Sequence, residues 1–280
     1  MTIAGVYLTP EGIVMGADST TTTNGATGRH YFNHAQKLFE IGEKSTLAAI
    51  TWGFARLGET SYRTLLARLA DDLKTNPPTD VADVAQRWAT QFWLEYEAFV
   101  LVQRVRDLHA IGARTPKEED EYNQLKDALV TGFCIGGHTL PARETQAYSV
   151  VFDPLQPCPT PDQVAPLSHR WWGVPNIIDR MISGADDNLV NDILNSGLWS
   201  GTDQDLYTII GNQNLMFPVL PIRDALDFVH TCIRSTGKAM RFTDFPQVCG
   251  GAPEVAVITT DRTFRWVTHK TWDTAIADGG

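Results

Sequence analysis

The sequence predicts an α+β protein in which β-sheets are sandwiched between layers of helices. Short apolar runs rich in β-branched residues open the chain, recur in its middle and close it, as strands do. Between them lie longer segments whose apolar residues recur every three or four positions, as in amphipathic helices. An order of strands, two helices, strands, helices and strands suits sheets that are covered by helices.

Two strand pairs are predicted near the start of the chain. Residues 3–8 and 13–17 are β-rich runs joined by a turn that contains proline and glycine. Residues 20–28 are polar and contain glycine, which predicts a loop. Residues 37–41 and 46–51 form the second predicted strand pair.

The pattern then changes to that of helices. The first predicted helix ends at the Asn-Pro-Pro of residues 76–78. Its apolar face is formed by Leu57, Tyr62, Leu65, Leu66, Leu69 and Leu73. Thr79 is predicted to cap a second helix that continues toward Leu108. Thr115, with proline next and Glu118 at the third helical position, predicts a capping box and a helix through Ala128.

The rest of the chain alternates in the same way. Proline residues between positions 154 and 166 predict a stiff surface segment. Further strands are predicted at residues 130–135, 146–152, 254–260 and 263–268. Further helices are predicted at residues 175–183, 186–195 and 221–235, the last ending at Gly237. No repeat or break in composition divides the chain, so we expect a single domain over residues 1–280 with a helical extension around residues 99–128.

Composition excludes several classes of function. The net charge of −10 and pI near 5.1 argue against a nucleic-acid partner, because phosphate binding needs a basic face. No apolar run approaches a membrane span, and the first residues lack a secretory signal, so we expect a cytoplasmic protein. The four scattered cysteines indicate free thiols, and the pair His30 and His34 has no third ligand, so neither predicts a metal site.

Thr2 is the first candidate catalytic residue. Its side chain is small enough for removal of Met1, which would expose a free α-amine. One residue would then supply both a hydroxyl nucleophile and, in its own amine, a general base. Such a site needs a nearby lysine ammonium and an acid that keeps it charged. Lys37 and Asp18 supply both groups downstream.

Several segments resemble proteasome β-type subunits, a family that includes the bacterial HslV and Anbu peptidases among the N-terminal-nucleophile hydrolases. The order of the segments and their spacing from Thr2 carry the resemblance. The segments are residues 2–19, 36–41, 49–53, 132–137, 148–154 and 250–258.

The resemblance implies a four-layer αββα sandwich. It also implies roles for individual residues: Thr2 as nucleophile, Asp18 as the acid and Lys37 as the active-site lysine. Gly53 matches the glycine whose backbone N–H forms the oxyanion hole. Thr22 and Gly53 would pair with the main chain of an extended peptide.

Two segments depart from the family pattern. The family has a G-S-G segment and a D-x-x-S-G segment near the nucleophile. The counterpart of the first is residues 172–175, Trp-Gly-Val-Pro, which lacks the serine. The counterpart of the second begins at Asp244, a further candidate catalytic acid, and has Cys249 before its glycine.

The resemblance predicts a threonine peptidase that cleaves peptides or unfolded proteins through an acyl-enzyme on Thr2, without cofactor or metal. It implies a homo-oligomeric ring, and a regulatory ATPase is a candidate partner. Two alternatives remain: a non-catalytic structural ring subunit, and an amidase that acts on a small molecule. The extension at residues 99–128 is either a subunit interface or a helical hairpin, and Trp171 and Trp172 are expected in the core or at a subunit contact.

Overall fold

The computed structural model describes residues 2–25, 28–216, 219–243 and 248–270 and shows a mixed α and β fold. Its strands are β1 (Ile3–Thr9), β2 (Gly12–Ala17), β3 (Thr21–Gly25), β4 (Gly28–Phe32), β5 (Leu38–Glu40), β6 (Leu47–Gly53), β7 (Thr131–Gly137), β8 (Gln146–Phe152), β9 (Asp162–Gln163), β10 (His169–Gly173), β11 (Glu254–Thr259) and β12 (Arg262–Thr268). Its helices are α1 (Tyr62–Thr75), α2 (Val81–Glu97), α3 (Val100–Ala110), α4 (Pro116–Ala128), α5 (Asn176–Ser183), α6 (Asp187–Asn195), α7 (Asp203–Gly211) and α8 (Ile222–Ala239).

Two antiparallel sheets dominate the structure. Sheet I has the strand order β10-β1-β2-β11-β12, and sheet II has the order β5-β6-β7-β8-β9. The strands β3 and β4 form a separate hairpin. The central strand of sheet I is β2, which pairs antiparallel with β1 on one side and with β11 on the other.

The two sheets pack face to face through apolar side chains. On β1, Ala4, Val6 and Leu8 point into a cluster shared with Leu38 and Ile50 of sheet II. Alternate residues of the same strand face the opposite side and contact helices. Because both faces of β1 are covered, its sequence is apolar almost throughout, as expected for a strand buried on both sides.

Helices cover the outer face of each sheet. On sheet I, Val229 and Ile233 of α8 approach Gly16 of β2, where a Cβ atom would lie 2.6 Å from each of them. On sheet II, Trp88 and Phe92 of α2 pack edge to face against Phe133 of β7. Such aromatic pairs add packing energy beyond the buried area.

The helix boundaries follow local capping, with one correction. Thr115 and Glu118 form the predicted capping box at the start of α4. The cap of α2 is Asp80, whose side chain accepts from the Asp83 amide, so the prediction of Thr79 was wrong. This helix does not continue to Leu108 either, because the chain becomes extended at Phe99 before α3 starts.

Other elements also differ from the sequence prediction. Residues 20–28 were predicted as a loop, yet threonine is β-branched and favours strands, and β3 pairs with β4. The strand β10 and the helix α7 were not predicted. Helix α8 passes through Gly237 instead of ending there, so the predicted end at this glycine was wrong.

A stacked pair of tryptophans connects the two sheets. Trp52 of β6 lies parallel to Trp172 of β10, with ring centroids 4.5 Å apart and an interplanar angle of 11°. Gly132 of β7 lies beneath the Trp52 indole, and a Cβ atom there would overlap with the ring. Trp172 therefore belongs to the core, one of the two places expected for it.

Among the described helices, none combines the length and the apolar composition needed to cross a membrane.

We expect Gly132→Ala to destabilise the fold by about 1–3 kcal/mol, because the added methyl group would displace Trp52 from its stack. The free energy of unfolding in urea would measure this loss. The control is Gly112→Ala, where a Cβ meets open space. Equal stability of the two variants would contradict the packing described for Trp52.

Candidate functional site

Thr2 lies immediately before β1, and Asp18 lies immediately after β2. The strands β1 and β2 are antiparallel, with Ala4 opposite Ala17. Thr2 and Asp18 therefore lie side by side where the two strands meet the same end of sheet I. The Thr2 side chain is buried. Its carbonyl oxygen accepts a hydrogen bond of 3.0 Å from the Val174 amide.

Gly173 brings the backbone of β10 against Thr2. Its φ angle of 93° lies in the region that favours glycine, and a Cβ there would overlap with the Thr2 carbonyl oxygen. Residues 172–175, which the sequence resemblance aligns with a serine-bearing segment, therefore lie beside Thr2 and contribute a backbone contact.

The Asp18 carboxylate accepts hydrogen bonds from four donors. Oδ1 accepts from the Ile3 amide at 3.1 Å and from Lys37 Nζ at 2.6 Å. Oδ2 accepts from the Thr20 amide at 3.1 Å and from the Gly250 amide at 2.9 Å. Asp18 is 1% exposed, so these donors replace the water that a buried carboxylate loses.

Lys37 lies just before β5 in sheet II and is 6% exposed. Besides Asp18, its ammonium donates to the Thr20 carbonyl oxygen at 2.5 Å. Burial lowers the pKa of Lys37, and the Asp18 carboxylate opposes this change by stabilising the ammonium. The contact between Lys37 and Asp18 that the sequence predicted is therefore present, and it connects the two sheets.

Gly53 ends β6 with a φ angle of 83°, a conformation that favours glycine. The Thr51 amide donates to the Lys37 carbonyl at 2.9 Å, and the Phe54 amide donates to the Val130 carbonyl at 2.9 Å. Amides alternate in direction along an antiparallel strand. The Gly53 N–H therefore points to the same side of β6 as β5. It lies beyond the last hydrogen bond between the two segments, which joins Thr51 to Lys37.

A cavity of about 510 Å³ lies between these residues. Thr2, Lys37 and Gly53 line it together. Its walls also include the aromatic residues Phe39, Trp52, Phe54 and Tyr62, and the charged residues Arg56, Glu59 and Arg63. The three residues expected to be nucleophile, lysine and oxyanion donor thus border one space.

Thr22 does not line this cavity, whereas its neighbours Thr21 and Thr23 do. Residues alternate in side along a strand, so the Thr22 side chain points away. Its hydroxyl is buried and has no hydrogen-bond partner among the described residues. Only the main chain of Thr22 is available for the contact that the resemblance implies.

Cys249, which the sequence resemblance aligns with a serine, is fully buried. Burial raises the pKa of its thiol to about 12, and the Asp18 carboxylate acts in the same direction. The thiol is therefore neutral at physiological pH, so it adds no charge beside the ion pair. Asp244, the other candidate in this segment, lies outside the described residues.

The structure adds a second buried carboxylate that sequence reasoning treated only as part of a strand. Glu254 opens β11 and is fully buried, with Oε1 at 2.9 Å from His269 Nδ1 and 3.2 Å from Lys270 Nζ. Lys270 also donates to the carbonyl oxygens of His34 and Ala35, at 3.0 and 2.8 Å. These contacts fix the segment that leads into Lys37. The one signal in the sequence is a glutamate at the head of an otherwise apolar strand.

Solved structures with a similar fold were found, whereas neither a protein-family model nor a curated protein matches the sequence. Anbu (ancestral beta-subunit) from Yersinia bercovieri aligns with a TM-score of 0.50 over 96% of this chain and 88% of its own, at 10% identity. An Anbu (Gly-1) mutant from Hyphomicrobium sp. strain MC1 aligns with a TM-score of 0.49 over 96% of this chain and 86% of its own, at 11% identity. The similarity to the Yersinia protein shows that the chain has an Anbu-like fold, the fold expected from the resemblance.

We expect Asp18→Asn to lower the free energy of unfolding by about 3–5 kcal/mol, because the buried Lys37 ammonium loses its counter-charge while the side-chain shape is kept. Urea unfolding at neutral pH would measure the change. The control is Glu95→Gln, which removes the partner of Arg68 in a largely exposed ion pair and should cost less than about 1 kcal/mol. Equal losses in the two variants would show that the buried pair is not an important contact.

Proposed function

We propose that this chain is an N-terminal threonine hydrolase that cleaves peptide bonds through an acyl-enzyme on Thr2. The observation that carries the proposal is the buried Asp18–Lys37 pair, whose lysine borders the same cavity as Thr2. Burial destabilises the charged form of Lys37, so a buried ammonium here indicates a function that requires it. Stabilising the reacting hydroxyl of Thr2 would be such a function.

In the proposed reaction, the free α-amine of Thr2 takes the hydroxyl proton as Oγ1 attacks the carbonyl carbon of the substrate. The Gly53 N–H donates to the oxygen that becomes negative. The amine then gives its proton to the leaving nitrogen, and the acyl group stays on Oγ1. Water, deprotonated by the same amine, finally hydrolyses the ester and restores the hydroxyl.

The state of the chain's first residue decides whether this chemistry can occur. A free α-amine ordinarily titrates at about 7.7–8.0, so a useful fraction is neutral near physiological pH. A nearby ammonium such as that of Lys37 lowers such a pKa further, because like charges disfavour each other. With Met1 retained, Thr2 would have an amide nitrogen and no base.

The substrate proposed is an extended peptide or an unfolded protein. Its main chain would pair with the backbone at Gly53 and at Thr22, next to the strand edge of β3. One substrate side chain would enter the cavity between Phe39, Trp52 and Tyr62. The volume of about 510 Å³ is within the range of ligand-binding cavities.

The organisation proposed around this site is a single domain over residues 1–280 with four αββα layers, to which α3 and α4 add a helical hairpin. We propose a homo-oligomeric ring in the cytoplasm, with a regulatory ATPase as candidate partner. Asp244 is proposed as a supporting acid. The fold similarity to Anbu supports the layered arrangement.

A second candidate is a structural ring subunit without catalytic activity. The specific observation in its favour is the loss of both supporting serines: Trp172, Gly173 and Val174 occupy one segment, and Cys249 occupies the other. This candidate predicts the same fold and the same ion pair, but no turnover. An amidase for a small molecule is a third candidate, and it would ignore peptides.

We expect the mature protein to begin at Thr2, because threonine is small enough to allow removal of Met1. Mass spectrometry of intact, untagged protein would show a loss equal to one methionine residue. The Thr2→Leu variant is the control, since its larger side chain should block removal. Retention of Met1 in most wild-type molecules would exclude the catalytic proposal.

We expect Thr2→Ala to abolish cleavage of fluorogenic peptides, because alanine keeps the amine but has no hydroxyl. Thr2→Ser should retain part of the activity, and Lys37→Ala should be nearly as inactive as Thr2→Ala, because residues of one catalytic unit show non-additive losses. Size-exclusion chromatography should show unchanged assembly for the two Thr2 variants.

Wild-type activity in the Thr2→Ala protein would remove the proposed nucleophile. A processed wild type that cleaves no peptide would favour the structural subunit, whereas turnover of simple amides alone would favour the small-molecule amidase.

A further inference from the structure

Helix α8 has a row of basic residues on one face. Arg234 and Lys238 follow His230 at intervals of four residues, which places these three on the same side of the helix. Arg241 follows three residues later, in the 3-10 turn Met240–Phe242 that continues α8, and lines the same cavity. With a rise of 1.5 Å per residue, the row spans about 16 Å. The arginines and the lysine are exposed, and His230 is half-buried. We call these four residues the α8 basic row.

The α8 basic row borders a cavity of about 540 Å³. The opposite wall is formed by Asn33 and by the loop residues Gly250, Gly251 and Pro253. Gly237 of α8 lies in van der Waals range of Gly250, since a Cβ there would be 3.5 Å from the Gly250 Cα. Asp18 also lines the cavity, but its charge is compensated by Lys37. This cavity shares no lining residue with the space beside Thr2, but Asp18 of the one is paired with Lys37 of the other.

The basic row is not neutralised by neighbouring acids within the part of the chain that the structure describes. There, none of its side chains lies within 4 Å of a carboxylate, whereas Arg87, Arg104 and Arg114 each contact at least one. The nearest acidic residue along this face of α8 is Asp227, which does not line the cavity. A row of cations that contacts no carboxylate among the described residues is unexpected in a chain with a net charge of −10.

We propose that the α8 basic row binds an acidic segment of an extended polypeptide. The spacing matches: four residues of helix advance about 6 Å, and two residues of an extended chain advance about 6.6–6.8 Å. Acidic side chains at alternate positions would therefore meet successive cations of the row. Asp18 lines this cavity and accepts a hydrogen bond from the amide of Ile3, the residue after Thr2. We therefore infer that the acidic segment belongs to the substrate, an assignment that rests on the proposed function.

The test measures binding separately from cleavage. A fluorescein-labelled heptapeptide with glutamate at every second position and serine between is titrated with the Thr2→Ala protein, and fluorescence anisotropy reports binding. We expect an affinity at least about tenfold higher than for the same peptide with glutamine. The affinity should fall as salt rises, because exposed charges are screened beyond about 8 Å at physiological ionic strength.

Two double variants locate the site. Arg234→Gln with Lys238→Gln should weaken binding of the acidic peptide at least about tenfold, and both side chains are exposed, so the fold should be unaffected. Lys117→Gln with Lys126→Gln removes the same charge from α4, which packs on α3 far along the chain from α8, and should leave binding unchanged. Equal affinities in the two double variants would overturn the proposal.

A third peptide, with its glutamates consecutive and its serines consecutive, tests the extended register. Equal affinity for the consecutive and the alternating peptide would overturn the proposal of an extended segment. In the wild-type protein, cleavage of acidic peptides should lose efficiency when Arg234 and Lys238 are changed, while cleavage of neutral peptides stays the same. Binding without any cleavage would refute the assignment to substrate and the proposed function but not the acidic site, whereas cleavage without preferential acidic binding would refute this inference alone.

Discussion

The buried ion pair between Asp18 and Lys37 is the interaction on which the arrangement of the site depends. It joins the end of β2 in sheet I to the start of β5 in sheet II across 2.6 Å. Both charges are almost fully buried, so neither could remain without the other. The same carboxylate accepts from the amides of Ile3 and Gly250, so it holds both the residue after Thr2 and the loop before β11.

Steric constraints also fix the relative position of the two sheets at the end where Thr2 lies. Trp52 and Trp172 stack between the sheets, and Gly132 leaves room for one of the rings. The residue after Trp172 is a glycine because the Thr2 carbonyl lies where a side chain would be. Lys270, held by the buried Glu254, fixes the carbonyls of His34 and Ala35 before Lys37. Packing and hydrogen bonds thus restrict Thr2 and Lys37 from several directions.

Much of the fold could be predicted because its signals are local. A proline pair follows the end of α1, a capping box starts α4, and apolar runs mark β1, β2 and β11. The elements that were missed depend on distant partners. The threonines of β3 are polar, and they form a strand because β4 pairs with them; His169–Gly173 becomes a strand because β1 supplies an edge. Helix α7 starts at a Thr202 capping box that was overlooked.

The sequence by itself determined the candidate nucleophile and its two charged companions, because their residue types and order along the chain suffice to suggest the chemistry. It also determined that a glycine stands at position 53, the last residue of β6. Only the tertiary structure decided that Thr21 and Thr23, rather than Thr22, line the cavity. Successive side chains of a strand point to opposite faces, and which face meets the cavity depends on how the strand packs. The same holds for Lys270, which contacts a segment 235 residues earlier in the chain. Such contacts arise when two sheets pack, and no local pattern encodes which distant groups will meet.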